Sequence, residues 1–255
     1  MKIVVAVKQV PARDSQLRIA PSGEWIDESG LSYEMNEPDA YALEEALQLK
    51  EKHGGEVIAL SAGPARVAQT IREALAKGAD RGIHVEHDQA GILDSLSAAR
   101  MLAAAVQPEA PDLVLAGLQS DDLGYGQTGV ILAELLGLPH ATIVMEVQAA
   151  EGAVTVKREL ENGWFQRVTL PLPCVLTVQS GIRKLRYATL MGIKKAKSRQ
   201  VTTVPAPAVS AGSAGVAVDR IYMPERSKRT QILDGNAAES ATQLIEKLRF
   251  EARVL

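Results

Sequence analysis

The sequence predicts an α/β fold: a mostly parallel, doubly wound sheet with flanking helices, a late β-hairpin and a C-terminal arm that ends in a helix. Three observations carry that prediction. Short β-branched apolar runs stop abruptly at charged or small residues, as strands buried on both faces do. Segments with apolar residues at helical spacing separate the first four runs, which implies βαβ units with right-handed crossovers. After Pro139 the helical pattern stops, and strand-like runs follow one another directly.

The first run, residues 3–7, lies between Lys2 and Lys8, and runs at 57–60, 82–85 and 113–116 repeat the pattern. Between the first two, residues 38–53 space Leu43 and Leu47 one helical turn apart among Glu44, Glu45, Lys50, Glu51 and Lys52, and Gly54-Gly55 ends the helix. Asn36 offers a capping side chain, Pro38 comes early, and Glu37 and Asp39 supply first-turn carboxylates. A second helix has Pro64 near its start, then Val67, Ile71 and Leu75, with Gly78 past its end. A third, over 94–106, is alanine-rich with Leu93, Leu96 and Leu102, and a fourth runs from Gly126 to Gly137.

Residues 141–147, 153–160, 164–170 and 174–178 read as strands. Asn162-Gly163 signals a two-residue hairpin turn between Val154, Val156, Arg158 on one side and Phe165, Arg167, Val168 on the other. The Pro/Ala/Ser/Gly stretch 204–216 lacks apolar bulk and reads as a linker. Residues 236–253 return to helix, with Asn236 and Glu239 as a capping pair and Leu244, Ile245 and Leu248 as a stripe. That stripe needs a surface, on its own domain or on another chain. The chain thus divides into a domain of residues 1–200, a linker at 201–216 and an arm at 217–255.

Composition removes several classes. With 46% hydrophobic and 23% charged residues, the chain lies far from the regime of disorder. A net charge of −3 over 255 residues argues against nucleic acid as the main partner. Cys174 is the lone cysteine, so no internal disulfide forms, and no Cys/His spacing suits a metal. No apolar run reaches the ~18–20 residues that cross a bilayer. Lys8 and Pro11 interrupt the opening run too early for a signal peptide. These features predict a soluble protein of a reducing compartment, without membrane insertion.

Gly124-Tyr125-Gly126-Gln127-Thr128-Gly129 satisfies the dinucleotide fingerprint in letters only. That fingerprint needs its first glycine directly after a strand, whereas residues 117–123 intervene here, and Asp121 and Asp122 would repel a pyrophosphate. A single phosphate fits better. Gly126, Gln127 and Thr128 open a helix, whose positive end, with a hydroxyl and an amide side chain, suits one phosphate. The alternative is that Thr128 only caps the helix. Three further loops, around Ala6 to Lys8, Asn36 to Asp39 and Ala62-Gly63-Pro64, lie at strand ends or helix starts and could converge with it on one crevice. Ala6, Ala62 and Gly63 are small enough to admit a purine and ribose, which makes this an adenine-nucleotide-binding type of doubly wound fold. His53, His84, His87 and His140 are scattered and read as surface or capping residues, and no nucleophile–base pair is evident.

Arg183, Lys184, Arg186, Lys194, Lys195, Lys197 and Arg199 form a run without a carboxylate. Tyr187 is its sole aromatic, so single-strand stacking has little support. Leu185, Leu190, Met191 and Ile193 are interleaved instead. Charge that speeds encounter, around an apolar anchor that holds, suits a transient protein contact.

These residues resemble one family, the β (small) subunits of electron-transfer flavoproteins, over nearly the whole chain. The likeness includes Val4-Val5-Ala6-Val7-Lys8-Gln9-Val10-Pro11, Met35-Asn36-Glu37-Pro38, Ser61-Ala62-Gly63-Pro64-Ala65 and Ala79-Asp80-Arg81-Gly82-Ile83-His84-Val85. It continues through Gln127-Thr128-Gly129, Val156-Lys157-Arg158-Glu159 with Gly163, and Arg186-Tyr187-Ala188-Thr189-Leu190 followed by Ile193-Lys194-Lys195-Ala196-Lys197. Ile221-Tyr222-Met223-Pro224-Glu225 is similar to the branch that serves trimethylamine dehydrogenase.

The resemblance implies a heterodimer whose α subunit holds most of a shared FAD, while this chain holds a structural AMP. It implies AMP contacts at Ala6, Asn36, Glu37, Pro38, Asp39, Ala62 and the loop Gly117, Gln119, Asp121, Leu123, Gly124, Tyr125, with the phosphate at Gly126, Gln127 and Thr128. It implies docking through Arg186, Tyr187, Leu190, Ile193, Lys194, Lys195 and Lys197, Leu190 being the anchor. The partners implied are flavin-containing dehydrogenases and an electron-transfer flavoprotein:quinone oxidoreductase, in the cytoplasm or, in a eukaryote, the mitochondrial matrix. The chain would be an electron carrier subunit, not an enzyme. Ala12-Arg13 departs from the Asp that many members carry after Val-Pro. A bifurcating branch with a second FAD in place of AMP typically has Asp-Gly-Asp-Thr-Ala-Gln-Val-Gly where Tyr125-Gly126-Gln127-Thr128-Gly129 stands here, which favours AMP. A stand-alone nucleotide-binding sensor is the remaining alternative. An ATP-pyrophosphatase ligase is excluded, because Lys8-Gln9-Val10-Pro11 replaces the Ser-Gly-Gly-x-Asp-Ser loop it needs.

Overall fold

The computed structural model describes residues 1–87, 93–207, 215–216, 218–224 and 230–255. They divide into two units, Met1–Ile221 and Tyr222–Leu255.

In the first unit, β1 (Lys2–Ala6) is followed by the short strands β2 (Gln9–Pro11) and β3 (Tyr33–Met35), which pair antiparallel with each other. Then come α1 (Glu37–His53), β4 (Glu56–Gly63), α2 (Ala68–Lys77), β5 (Arg81–Glu86), α3 (Ser95–Val106), β6 (Leu113–Gly117) and α4 (Thr128–Leu136). The second half holds β7 (His140–Ala150), β8 (Ala153–Glu159), β9 (Phe165–Pro171), β10 (Cys174–Val178), α5 (Leu190–Ser198) and β11 (Val201–Pro205). Nine strands form one sheet in the order β11-β5-β4-β1-β6-β10-β7-β8-β9. All pair parallel except β8 and β9.

Side-chain alternation explains why helices cover both faces. Ile3, Val5, Val57, Ala59, Leu113 and Leu115 point to one side, under Leu43 and Leu47 of α1 and Ile71 and Leu75 of α2. Val4, Ala6, Ile58, Leu60, Val114 and Val175 point to the other, under Met101 and Leu102 of α3 and Leu132 and Ala133 of α4. From β1 the chain winds outward to β4 and β5, then returns across to β6. Neighbours β1 and β6 therefore send their connections in opposite directions, and a crevice opens beyond their carboxyl ends.

Several elements differ from expectation. The hairpin forms, but its loop takes in Glu161 as well as Asn162 and Gly163, closed by Leu160 N–H on Trp164 O at 2.8 Å. Val201–Pro205, expected as the start of a linker, is an edge strand parallel to β5. Its Val-Thr-Thr-Val run is β-branched, and Pro205 is tolerated at an edge. Residues 208–214 of the expected linker lie outside the described residues. Within the cationic run, to which the sequence pattern assigns no element, Leu190–Ser198 is helical, with Thr189 Oγ1 accepting from the Gly192 amide at 3.0 Å. His84 is buried, its ring bonded to Gly63 O at 2.8 Å, because it faces inward from β5, which has a strand on either side.

In the second unit, Asn236 caps α6 (Ala237–Glu246) by accepting from the Ala238 and Glu239 amides at 3.0 and 3.1 Å. Glu239 Oε2 accepts in return from the Asn236 amide at 3.0 Å. No α6 residue is buried, and Leu244, Ile245 and Phe250 are exposed. Among the described residues no helix is long and apolar enough to cross a membrane.

Candidate functional site

The crevice at the β1/β6 switch point is a cavity of about 440 Å³. Its floor is the strand ends Ala6, Ala62, Ala116 and Gly117, and its wall comes from Ala98 and Leu102 of α3 and Leu132 of α4. That size lies toward the lower end of small-molecule pockets, ~300–1,000 Å³, and suits a nucleoside monophosphate better than a dinucleotide.

Most of the residues expected to converge do so. Ala6, Asn36, Asp39, Ala62, Gly117, Gln119, Leu123, Tyr125, Gly126, Gln127 and Thr128 all line the cavity. Glu37, Pro38, Asp121 and Gly124 are not among the lining residues. They belong to its frame. Glu37 pairs with Arg13 and donates its amide to Asp121 Oδ2 at 3.3 Å, and Gly124 N–H closes a turn on Ser120 O at 2.9 Å. Pro38 packs where a Cβ on Gly117 would fall, so only glycine allows α1 to approach β6 this closely. The lining also includes Gln9, Trp25, Tyr33, Arg66 and Ser95, none of which is among the expected contacts. They arrive from β2, β3, the loop between them, the turn just before α2 and the start of α3.

Asn36 and Asp39 hold the frame with their polar atoms. Asp39 Oδ2 accepts from the Lys8 amide and Oδ1 from the Gly117 amide, both at 2.8 Å, so one carboxylate ties β1 to β6. Burial pushes its pKa up to about 6, although those two amide bonds pull the other way. Asn36 donates to Gln119 O at 3.0 Å and accepts from the Asp121 amide at 2.9 Å, which fixes the loop after β6.

The two carboxylates in the loop that leads to α4 are compensated. Lys8 Nζ lies 2.6 Å from Asp122 Oδ1 and also donates to Ser120 Oγ. Burial would raise the Asp122 carboxyl, but the Lys8 ammonium and its bonds outweigh this and hold it below the ordinary range. Arg13 Nη2 sits 3.5 Å from Asp121 while pairing with Glu37, so the turn that departs from the family pattern is tied to this same frame.

The start of α4 answers the capping question. Its N-cap position is Gln127 and Thr128 is its first helical residue, and no side chain caps it. Its first-turn amides remain available to a ligand, at the positive end of the helix. Gly126 reaches this turn at φ +63°, in the left-handed region that favours glycine. With the small floor of Ala6 and Ala62, these groups fit an adenosine monophosphate. Burial pushes the Cys174 thiol to about 11, which makes it inert, and no group of described residues could hold a metal ion.

A second surface lies on the segment leading into α5. Tyr187 is 92% exposed and Leu190 80%, with Met191, Ile193, Lys194, Lys195 and Lys197 also exposed. These exposures make an apolar patch ringed by charge. Arg186 differs, being engaged by Glu44 and Glu51 of α1.

The model of the electron transfer flavoprotein domain family matches residues 24–209. The electron transfer flavoprotein subunit beta of Methylophilus methylotrophus is 40% identical, with 96% of this chain and 97% of the relative covered. The subunit beta of Sus scrofa is 37% identical over 100% of this chain and 99% of its own length. The mitochondrial subunit beta of Oryza sativa subsp. indica is 37% identical, with both chains covered in full.

Proposed function

Because the chain belongs to the electron transfer flavoprotein β-subunit family, we propose that it completes a heterodimer in which the α subunit holds most of one FAD and this chain holds one structural AMP. Membership in the family makes it an electron carrier subunit that pairs with an α subunit, rather than an enzyme. The observation that carries the AMP reading is the uncapped start of α4, facing a cavity floored by Ala6 and Ala62 at the switch point. The amides of Gln127 and Thr128 and the Thr128 hydroxyl take the phosphate. The purine and ribose lie along the small residues of the floor. Lys8 and Arg13 serve the site by neutralising Asp122 and Asp121 rather than by touching phosphate.

Flavin supplies the redox chemistry when bound. This chain presents the docking surface, with Leu190 as anchor, Tyr187 and Ile193 beside it, and Lys194, Lys195 and Lys197 steering encounter. The docking partners in this reading are flavin-containing dehydrogenases as donors and an electron-transfer flavoprotein:quinone oxidoreductase as acceptor. The complex works in the cytoplasm, or in the mitochondrial matrix of a eukaryote. The test is nucleotide analysis of the complex purified with its α subunit and then denatured. One FAD and one AMP per heterodimer is expected. Two FAD and no AMP would replace this reading with that of a bifurcating subunit.

A further inference from the structure

We infer that Arg183 and Arg186 are positioning residues, which brace the docking segment against α1 and make no contact with a partner of their own. The inference rests on the docking role proposed for Leu190.

Both guanidinium groups reach back to carboxylates of α1, although the Arg183 side chain stays 38% exposed. Arg183 Nε donates to Glu45 Oε2 at 2.6 Å, and Glu45 is fully buried. Arg186 grips Glu44 with Nε at 2.8 Å and Nη2 at 2.9 Å, and its backbone amide adds a third bond at 3.2 Å. Its remaining nitrogen, Nη1, reaches Glu51 Oε1 at 2.6 Å. Two-pronged guanidinium–carboxylate pairs of this kind fix direction as well as distance. Burial raises the Glu44 carboxyl, but Arg186 and Gln48 outweigh that and keep it ionised below the ordinary range. Between the two arginines, Leu185 packs against the core, as does Ile182 just before them. The segment is pinned by alternating apolar and ionic contacts up to Arg186, and the next residue, Tyr187, is almost wholly exposed.

The far end is held as well. Arg72 of α2 donates to Ala196 O at 2.5 Å and Arg199 O at 2.7 Å. Tyr187, Leu190 and Met191 are thus displayed between two fixed ends. A surface ordered before encounter loses less freedom on binding, which is how a small patch can hold a transient partner. Neutralised by α1, Arg183 and Arg186 also add little to the field that draws a partner in. The exposed lysines supply it.

The test uses the complex with the flavin-containing dehydrogenase that reduces the wild-type form. Arg186→Gln is expected to raise KM for the carrier roughly tenfold, with kcat and flavin content unchanged. It is also expected to speed amide exchange over residues 187–193 while leaving the salt dependence of kcat/KM as in wild type. A flatter salt dependence with unchanged amide exchange would make Arg186 a direct charge contact and overturn the inference. Unchanged KM would overturn it too. Should Arg186→Gln fold poorly, Glu51→Gln removes only the outer bond and is expected to give a rise of about threefold, with no rise again counting against the brace. Leu190→Ala serves as the control. If it leaves KM unchanged the docking role itself fails, whereas an effect of Leu190→Ala without one of Arg186→Gln sinks only the brace.

Discussion

Asp39 makes a quantitative test of how the crevice is framed. Its carboxylate joins the amides of Lys8 and Gly117 across β1 and β6, and burial raises its pKa to about 6 in the folded chain. An unfolded aspartate titrates near ~3.9. Because the folded value is the higher one, the folded state binds the proton more tightly. The stability this group contributes is therefore full well below pH ~4 and is lost as the pH rises through about 6. Roughly two pH units at ~1.36 kcal/mol each give about 3 kcal/mol. Asp39→Asn keeps the shape, cannot titrate, and offers one acceptor where two amides need one each. Urea unfolding of both forms, followed by far-UV circular dichroism from pH 4 to 7.5, isolates the group. The stability of wild type relative to Asp39→Asn should fall by about 2 kcal/mol between pH 4 and pH 7, the rest having been lost below pH 4, and then level off. A flat difference over that range, or one that rises with pH, would refute the claim that burial governs this carboxylate.

Two further outcomes follow from the site and the docking surface. Leu190→Ala should weaken electron acceptance from the dehydrogenase roughly thirtyfold in kcat/KM at normal flavin content, as loss of an anchor costs ~2 kcal/mol. Stopped-flow reduction of the flavin measures this, and an unchanged rate would count against it. Gly126→Ala should cost ~1–2 kcal/mol, since alanine resists a φ of +63°, and should lower the AMP retained after gel filtration. Full AMP retention would mean that the loop does not carry the phosphate.

The strands that flank the crevice were legible because they are buried on both faces. Val4, Ile58 and Leu115 belong to unbroken apolar runs that no exposed element would carry. The convergence of Ala6, Ala62 and Gly126 was legible too, because the ligand edge of a doubly wound sheet follows from strand order. The three-residue strands β2 and β3 left no periodic trace, and their lining residues Gln9 and Tyr33 were not expected as contacts. β11 was hidden by composition, since Val201–Pro205 leads straight into proline and alanine and has only one neighbour to pair with. Arg186 read as one cation of a docking run because its partners Glu44 and Glu51 lie more than a hundred residues away in sequence, in a helix whose charges look merely solvated. Asn36 was readable as a helix cap, yet its side chain holds the loop after β6 instead. Local patterns reveal which face is buried. They do not reveal which distant charge faces it.

The most direct measurement is a crystal structure of the complex with its α subunit, purified without added nucleotide. Density for one adenosine monophosphate over Ala6 and Ala62, its phosphate on the amides that open α4, is the result expected. A flavin in that crevice, or side chains filling it with no space for a purine, would contradict the account at its centre.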